Sequence, residues 1–347
     1  MSAKPKTGRK ARQTPSKTML TADEINTAYL ADLEKSAGLV FTRLKRFVAP
    51  RHEEKINTFT NEGEEHPAIK ALDFLGNILL EAYPEVKADI ENEFPLPDDA
   101  DENVRKKLEQ SRRQAVKSNA GKIFERYVGY ALAKALQGTG WAVWHNRQDA
   151  KKTLGFAPSE YLSIVKQLKD NEEIDVEIEG DLLISRPGIP DYPLIVVSIK
   201  STLKDRLHNV TMWQLAKNIA LDENMSKTLG LVAKNPQKLN QVYYCLACAD
   251  IAQEQRDLEK TPRRKIKFDV SFLDFAFAAV TGDELDHLAS VVSEQGRGND
   301  LFHRLSAIGT MLTYIDAEYE KGRIPPVTEV EEVIDIEIEE QEQGKLF

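Results

Sequence analysis

A chain of 347 residues, 41% apolar and 30% charged, is long enough for a substantial core, and no run approaches the ~18 apolar residues of a membrane span. Two cysteines, Cys245 and Cys248, exclude a disulfide scaffold, and with no signal peptide at the start they lead us to expect a cytoplasmic protein. The net charge of −9 excludes a uniformly basic nucleic-acid binder, but the charge is segregated, and a local basic surface remains compatible with DNA.

Residues 1–20 carry Lys4, Lys6, Arg9, Lys10, Arg12 and Lys17 without an acid and read as a disordered basic tail. A helical N-terminal region follows over 21–101. Thr21 and Asp23 suit its first cap, apolar residues recur at helical spacing from Ile25 to Phe47, and a second helix is expected over 68–82. The proline-bearing, acidic stretch 84–101 reads as a linker.

The core is expected over 102–285. It opens with a long helix to about Gln137, whose first half is basic (Arg105, Lys106, Lys107, Arg112, Arg113, Lys117) and whose second half is apolar on one face until Gly138 and Gly140 stop it. A short strand is expected at 141–145 and a half-exposed one where Ile174, Val176 and Ile178 alternate with acids. Gly180 breaks that strand, Asp181–Ser185 resumes it, residues 186–193 turn, and Leu194–Ile199 reads as a central strand. A helix from Ser201 to Asp222 and a strand at 229–233 suggest a crossover, while 268–280 fits no single element. A helical C-terminal part over 286–325, with a helix at 300–321, and an acidic tail over 326–347 complete an α/β chain.

The stretch "LIVVSIKSTLKDR" (194–206) places Lys200 at the end of the most apolar strand. Asp181 starts the partner strand of that hairpin, so the two side chains are expected to converge at one end of the sheet. A carboxylate there suits a divalent cation, and a lysine suits stabilisation of a nucleophile or of developing charge on phosphorus.

The order Glu125 in a helix, Gly180-Asp181 in a strand, then Ser198-Ile199-Lys200 resembles the PD-(D/E)xK nuclease superfamily. The resemblance implies a mixed central sheet flanked by helices. It also implies Mg2+ held by Asp181, Glu125 and the Ile199 carbonyl, and Lys200 as the catalytic lysine. The acid usual two residues before the lysine is Ser198 here. Type II restriction endonucleases of the CCGG group, BsaWI-like and EcoRII-like, tolerate that loss and take a substitute acid from a helix, and Lys200–Arg206 resembles their K-[ST]-[ST]-x-[KR]-[DE]-R signature. No acid stands about fourteen residues beyond Lys200, which leaves Glu125 as the substitute. Lys204, Asp205 and Arg206 would then read G:C pairs in the major groove, with Arg112, Arg113 and Lys117 on phosphates. Taken as a whole, the resemblance implies Mg2+-dependent cleavage of double-stranded DNA at a CCGG-like palindrome, leaving 5′-phosphates, by a homodimer or tetramer in a bacterial or archaeal cytoplasm. A degenerate nuclease fold that only binds DNA, and a structure-specific repair or junction nuclease, are the alternatives.

Plainer readings compete. Pro190-Asp191 is a literal "PD", but it sits in the turn, and Asp181 on its strand is preferred. Glu125 pairs as readily with Arg126 or Lys122 on the helix surface. Trp141 and Trp213 read as packing residues. Cys245-x-x-Cys248 lacks a second ligand pair for zinc and reads as structural.

Overall fold

The structure, a computed structural model, describes residues 19–36, 38–95, 101–145, 147–169, 172–200, 207–249, 270–279 and 302–343, with side chains to 335. The fold is mixed α/β with a helical N-terminal region. Helix α1 (Ala22–Lys35) starts at Thr21 in a capping box: the Glu24 N–H donates to the Thr21 hydroxyl, and the Thr21 N–H donates to the Glu24 carboxylate at 2.8 Å. Asp23 instead accepts from the Gly138 N–H at 2.8 Å, tying α1 to the end of the long helix. Helix α2 (Leu39–Arg43) passes through a π-helical turn into α3 (Ala49–Glu62). Helix α4 (Pro67–Lys70) leads through a 3-10 turn into α5 (Leu75–Asn92).

Pro84 lies inside α5, so the linker read over 84–101 begins only after Asn92. Pro84 removes one backbone donor. Burial of Val86 and Ile90, one and two turns beyond Ala82, outweighs that loss. Helix α6 (Glu102–Ala135) is the predicted long helix, capped by the Asp101 carboxylate on the N–H groups of Asn103 and Val104.

The central sheet has six strands in the order β1 (Ala142–Trp144), β4 (Leu182–Ser185), β5 (Leu194–Lys200), β7 (Val242–Cys248), β8 (Phe275–Ala278), β9 (His303–Arg304). Strand β4 pairs antiparallel with both β1 and β5, and β5, β7, β8 and β9 run parallel. A second sheet of β3 (Glu173–Glu177), β2 (Ser163–Gln167) and β6 (Leu231–Ala233) is antiparallel. The strand expected at 229–233 therefore joins this smaller sheet. The crossover from β5 returns through α9 (Leu207–Leu221), α10 (Glu223–Leu229), β6 and α11 (Pro236–Leu239) to β7, the strand that carries both cysteines. Both cysteines are buried and neither is in a disulfide among the described residues. Helices α7 (Arg147–Thr153) and α8 (Ser159–Leu162) precede β2.

Alternate residues of β5 feed two cores. Ile195, Val197 and Ile199 pack with α5 and α6, while Leu194 and Val196 pack on the α9 side with Leu207 and Val210. Leu33, Leu44 and Leu72 of the N-terminal helices belong to the first core. The helix read over 300–321 starts at Ile308 and ends at Glu320 (α12), because β9 and a 3-10 turn precede it. Residues 327–343 form helix α13, whose Val330 and Ile334 are buried in the first core, so the acidic segment is an amphipathic helix rather than a tail. Among the described residues no helix is long and apolar enough to cross a membrane.

His52 of α3 makes one stability test possible. It is fully buried against α6, its Nδ1 3.0 Å from the Tyr127 hydroxyl. Burial holds the phenol protonated, so it donates to a neutral imidazole whose Nε2 has no partner among the described residues. Burial lowers the His52 pKa to about 4. Between about 4 and 6.5 the unfolded chain holds the extra proton, so stability from this site is full above 6.5 and falls as pH drops to 4, by about 3 kcal/mol. Urea unfolding of wild type and His52→Gln across this range should show wild type losing that advantage towards acid. A constant difference between the two would contradict the buried neutral histidine.

Candidate active site

The hairpin β4–β5 builds the site. Leu182 pairs with Val197, so Asp181 stands just before β4 beside the last residues of β5. The Asp181 N–H donates to the Val197 carbonyl at 2.9 Å. Its carboxylate Oδ2 accepts from the Ile199 N–H at 2.6 Å and from Lys200 Nζ at 2.9 Å. A residue's N–H and C=O leave a strand by the same edge, so the Ile199 carbonyl is also directed to the Asp181 side of β5. The Lys200 carbonyl faces the other way and accepts from the Ala249 N–H at 3.3 Å. Gly180 is required by packing: a Cβ there would lie 2.2 Å from Val196 Cγ1.

Glu125 comes from the buried half of α6. Its carboxyl is raised above the usual range, first by burial and next by the negative charge of Asp181, with Arg126, Lys200 and Lys122 pulling it back. Two carboxylates and a lysine thus share one electrostatic environment. Neither Arg126 nor Lys122 forms an ion pair with Glu125 among the described residues; the basic group within 4 Å is His145 Nε2, at 3.9 Å. His145 follows β1 and was not singled out by its sequence context.

Asp181, Ser198 and Lys200 line a cavity of about 550 Å3, with Asn209, Val210 and Trp213 of α9 on its wall and Arg147 and Glu179 beside them. Trp213 packs against the second core as its sequence context suggested, yet it also faces this cavity. Arg147 is held by the Glu177 carboxylate and the Ile178 carbonyl. The Ser198 hydroxyl lies 3.5 Å from that of Tyr244.

Asp191 lies elsewhere. It is exposed in the β4–β5 turn with φ +56°, at the opposite end of β5 from Lys200, about 20 Å away along the strand. Ser201–Arg206, including Lys204, Asp205 and Arg206, lie outside the described residues.

Arg112 departs from expectation. It turns toward α5 and donates to the Glu91 carbonyl at 2.9 Å, because this part of α6 packs there through Ala115 and Val116. Arg113 and Lys117 are exposed. At 3.6 residues per turn, Lys107 and Lys122 lie within about 60° of Glu125 around α6, whereas Arg113 lies about 120° away. Both lysines are exposed. The helical period alone would have separated these residues.

In kind, the donors fit Mg2+. That ion takes oxygen ligands, keeps several waters, and is held by one or two carboxylates together with substrate phosphate. Among the described residues no group of three or more His, Cys, Asp or Glu side chains gathers as a metal site, and Mg2+ does not require one. No protein-family model and no curated protein matches this chain.

Proposed function

We propose that the chain is a Mg2+-dependent type II restriction endonuclease with a PD-(D/E)xK core. It would cut double-stranded DNA at a G:C-containing, CCGG-like palindrome, leave 5′-phosphates, and act as a homodimer or tetramer. The observation that carries this reading is the convergence of Asp181 and Lys200 on one cavity, with Glu125 within Coulombic reach. Asp181, Glu125 and the Ile199 carbonyl would hold the ion, which when bound withdraws charge from the scissile phosphate and acidifies a water. Lys200 is oriented by its pair with Asp181 and stands ready to stabilise the attacking oxygen and the charge developing on phosphorus. Lys204, Asp205 and Arg206, which come soon after Lys200 in the chain, would read G:C edges in the major groove.

Ser198 favours a second reading, a nuclease fold that binds DNA without cutting it. Metal dependence separates the two, since a binder has no requirement for Mg2+ and a nuclease cannot work without it.

The DNA grip follows the exposed lysines of α6 rather than Arg112. Binding to duplex DNA in Ca2+ should therefore show a salt slope that Lys107→Gln with Lys122→Gln flattens by about 2, at ~0.9 for each phosphate contact. Arg112→Gln should leave the slope unchanged. The reverse pattern would place the DNA on the other side of α6.

A further inference from the structure

Tyr244 lies in β7 beside Val196 and on the same face as Ser198. Its ring reaches diagonally beneath β5 toward the corner that leads into β4. There the hydroxyl donates to the Glu179 carbonyl at 2.9 Å and lies 3.5 Å from Ser198 Oγ. Burial pushes the phenol well above its ordinary value, so it is a donor at neutral pH. The corner Glu179-Gly180-Asp181 is also held by the Asp181 N–H on Val197, by the Asp181 carboxylate on the Ile199 N–H and Lys200, and by the close approach of Gly180 to Val196.

The main chain of Tyr244 is anchored as well. Its N–H donates to Asp274 Oδ2 at 2.8 Å. The same carboxylate takes Lys217 Nζ at 2.5 Å and Gln214 Nε2 at 2.6 Å, both from α9. Lys217 and Gln214 are buried. One network therefore links β7 to the helix that forms the opposite wall of the cavity.

We infer that Tyr244 is a positioning residue for Asp181: its hydroxyl braces the Glu179 carbonyl and the Ser198 hydroxyl, and so fixes the carboxylate beside the strand that lacks the usual second acid. With a carboxylate at 198, two acids would define the site by themselves. With a serine there, the Ile199 N–H and Lys200 hold the Asp181 carboxylate itself, and Tyr244 holds the main chain that carries it. Tyr244 has this role only if Asp181 holds the ion, so the role rests on the nuclease reading.

The test is Mn2+ binding to the full chain, monitored by electron paramagnetic resonance, with wild type, Tyr244→Phe, Asp274→Asn and Asp181→Ala. Orienting partners of metal ligands typically govern about 10- to 100-fold in affinity. Tyr244→Phe should weaken Mn2+ at least about 10-fold while far-ultraviolet circular dichroism stays native. Asp274→Asn keeps an amide oxygen for the Tyr244 N–H while weakening the pairs to Lys217 and Gln214, so it should lower Tm and leave Mn2+ affinity within about twofold. Equal Mn2+ affinity in Tyr244→Phe and wild type, with Asp181→Ala lost, overturns the role of Tyr244 and leaves the nuclease reading standing. An Asp274→Asn variant as weak as Tyr244→Phe also overturns it, because general loosening would then suffice. Identical Mn2+ binding in wild type and Asp181→Ala overturns both readings.

Discussion

Asp181→Ala should lower DNA cleavage by at least about 1000-fold while binding in Ca2+ stays within a few-fold of wild type. The magnitude rests on the chemistry. Polarisation of a phosphoryl oxygen by a bound ion contributes several kcal/mol, and each ~1.4 kcal/mol is tenfold in rate. The structural cost is smaller. The Asp181 side chain is 26% exposed, so water can replace it on the Ile199 N–H, and the strand pairing of β4 with β5 is main-chain. Lys200 loses its partner but keeps the Coulombic pull of Glu125. Cleavage measured on a single-site duplex in Mg2+, beside binding in Ca2+, decides the matter. A variant that cuts at the wild-type rate would remove Asp181 from the site.

Lys200→Met should cost about 100- to 1000-fold in cleavage, the usual loss when one preorganised electrostatic group is removed. Methionine keeps the apolar stem and deletes only the charge. The substitution has a second consequence, through Glu125. Lys200 pulls the Glu125 carboxyl down, against burial and Asp181. Without the lysine that carboxyl rises further, so it becomes charged only at higher pH. The acid limb of the pH–rate profile should therefore move to higher pH. A lower rate with an unmoved limb would mean that Glu125 does not report on this site. Lys200→Arg should restore charge but not rate, because a planar guanidinium fork does not replace a compact ammonium.

Much of this site is legible in the residues, for identifiable reasons. The hairpin of β4 and β5 carries strong local signals: a β-branched apolar run, Gly180 before one strand and a proline-rich turn between the two. Those signals set a register, and the register brings Asp181 to Lys200 at 2.9 Å. The stop of α6 before Gly138 and the cap at Thr21 are equally local. Elements that depend on distant partners are harder to read. Strand β7, fully buried in "VYYCLAC", has no alternation to mark it and is defined by its neighbours β5 and β8. Residues 231–233 read as the strand at the end of a crossover but pair with β2, a choice made by tertiary packing. Segment 327–343 looks like a tail because charge dominates it, although Val330 and Ile334, four residues apart, mark a buried stripe. Composition cannot assign Arg112 to α5 or Lys107 to the open face; the helical period can. Tyr244 and His145 carry no motif at all. They reach the site from β7 and from the end of β1, and only the fold brings them there.

The most direct measurement is to incubate the purified chain with phage DNA in Mg2+ and in EDTA and to sequence the termini. The account predicts discrete fragments in Mg2+ alone, every end carrying a 5′-phosphate and lying in one G:C-containing palindrome, with no fragments from Asp181→Ala. Intact DNA in Mg2+ with tight binding retained would contradict it, and would make the chain a binder in which Ser198 marks the lost acid.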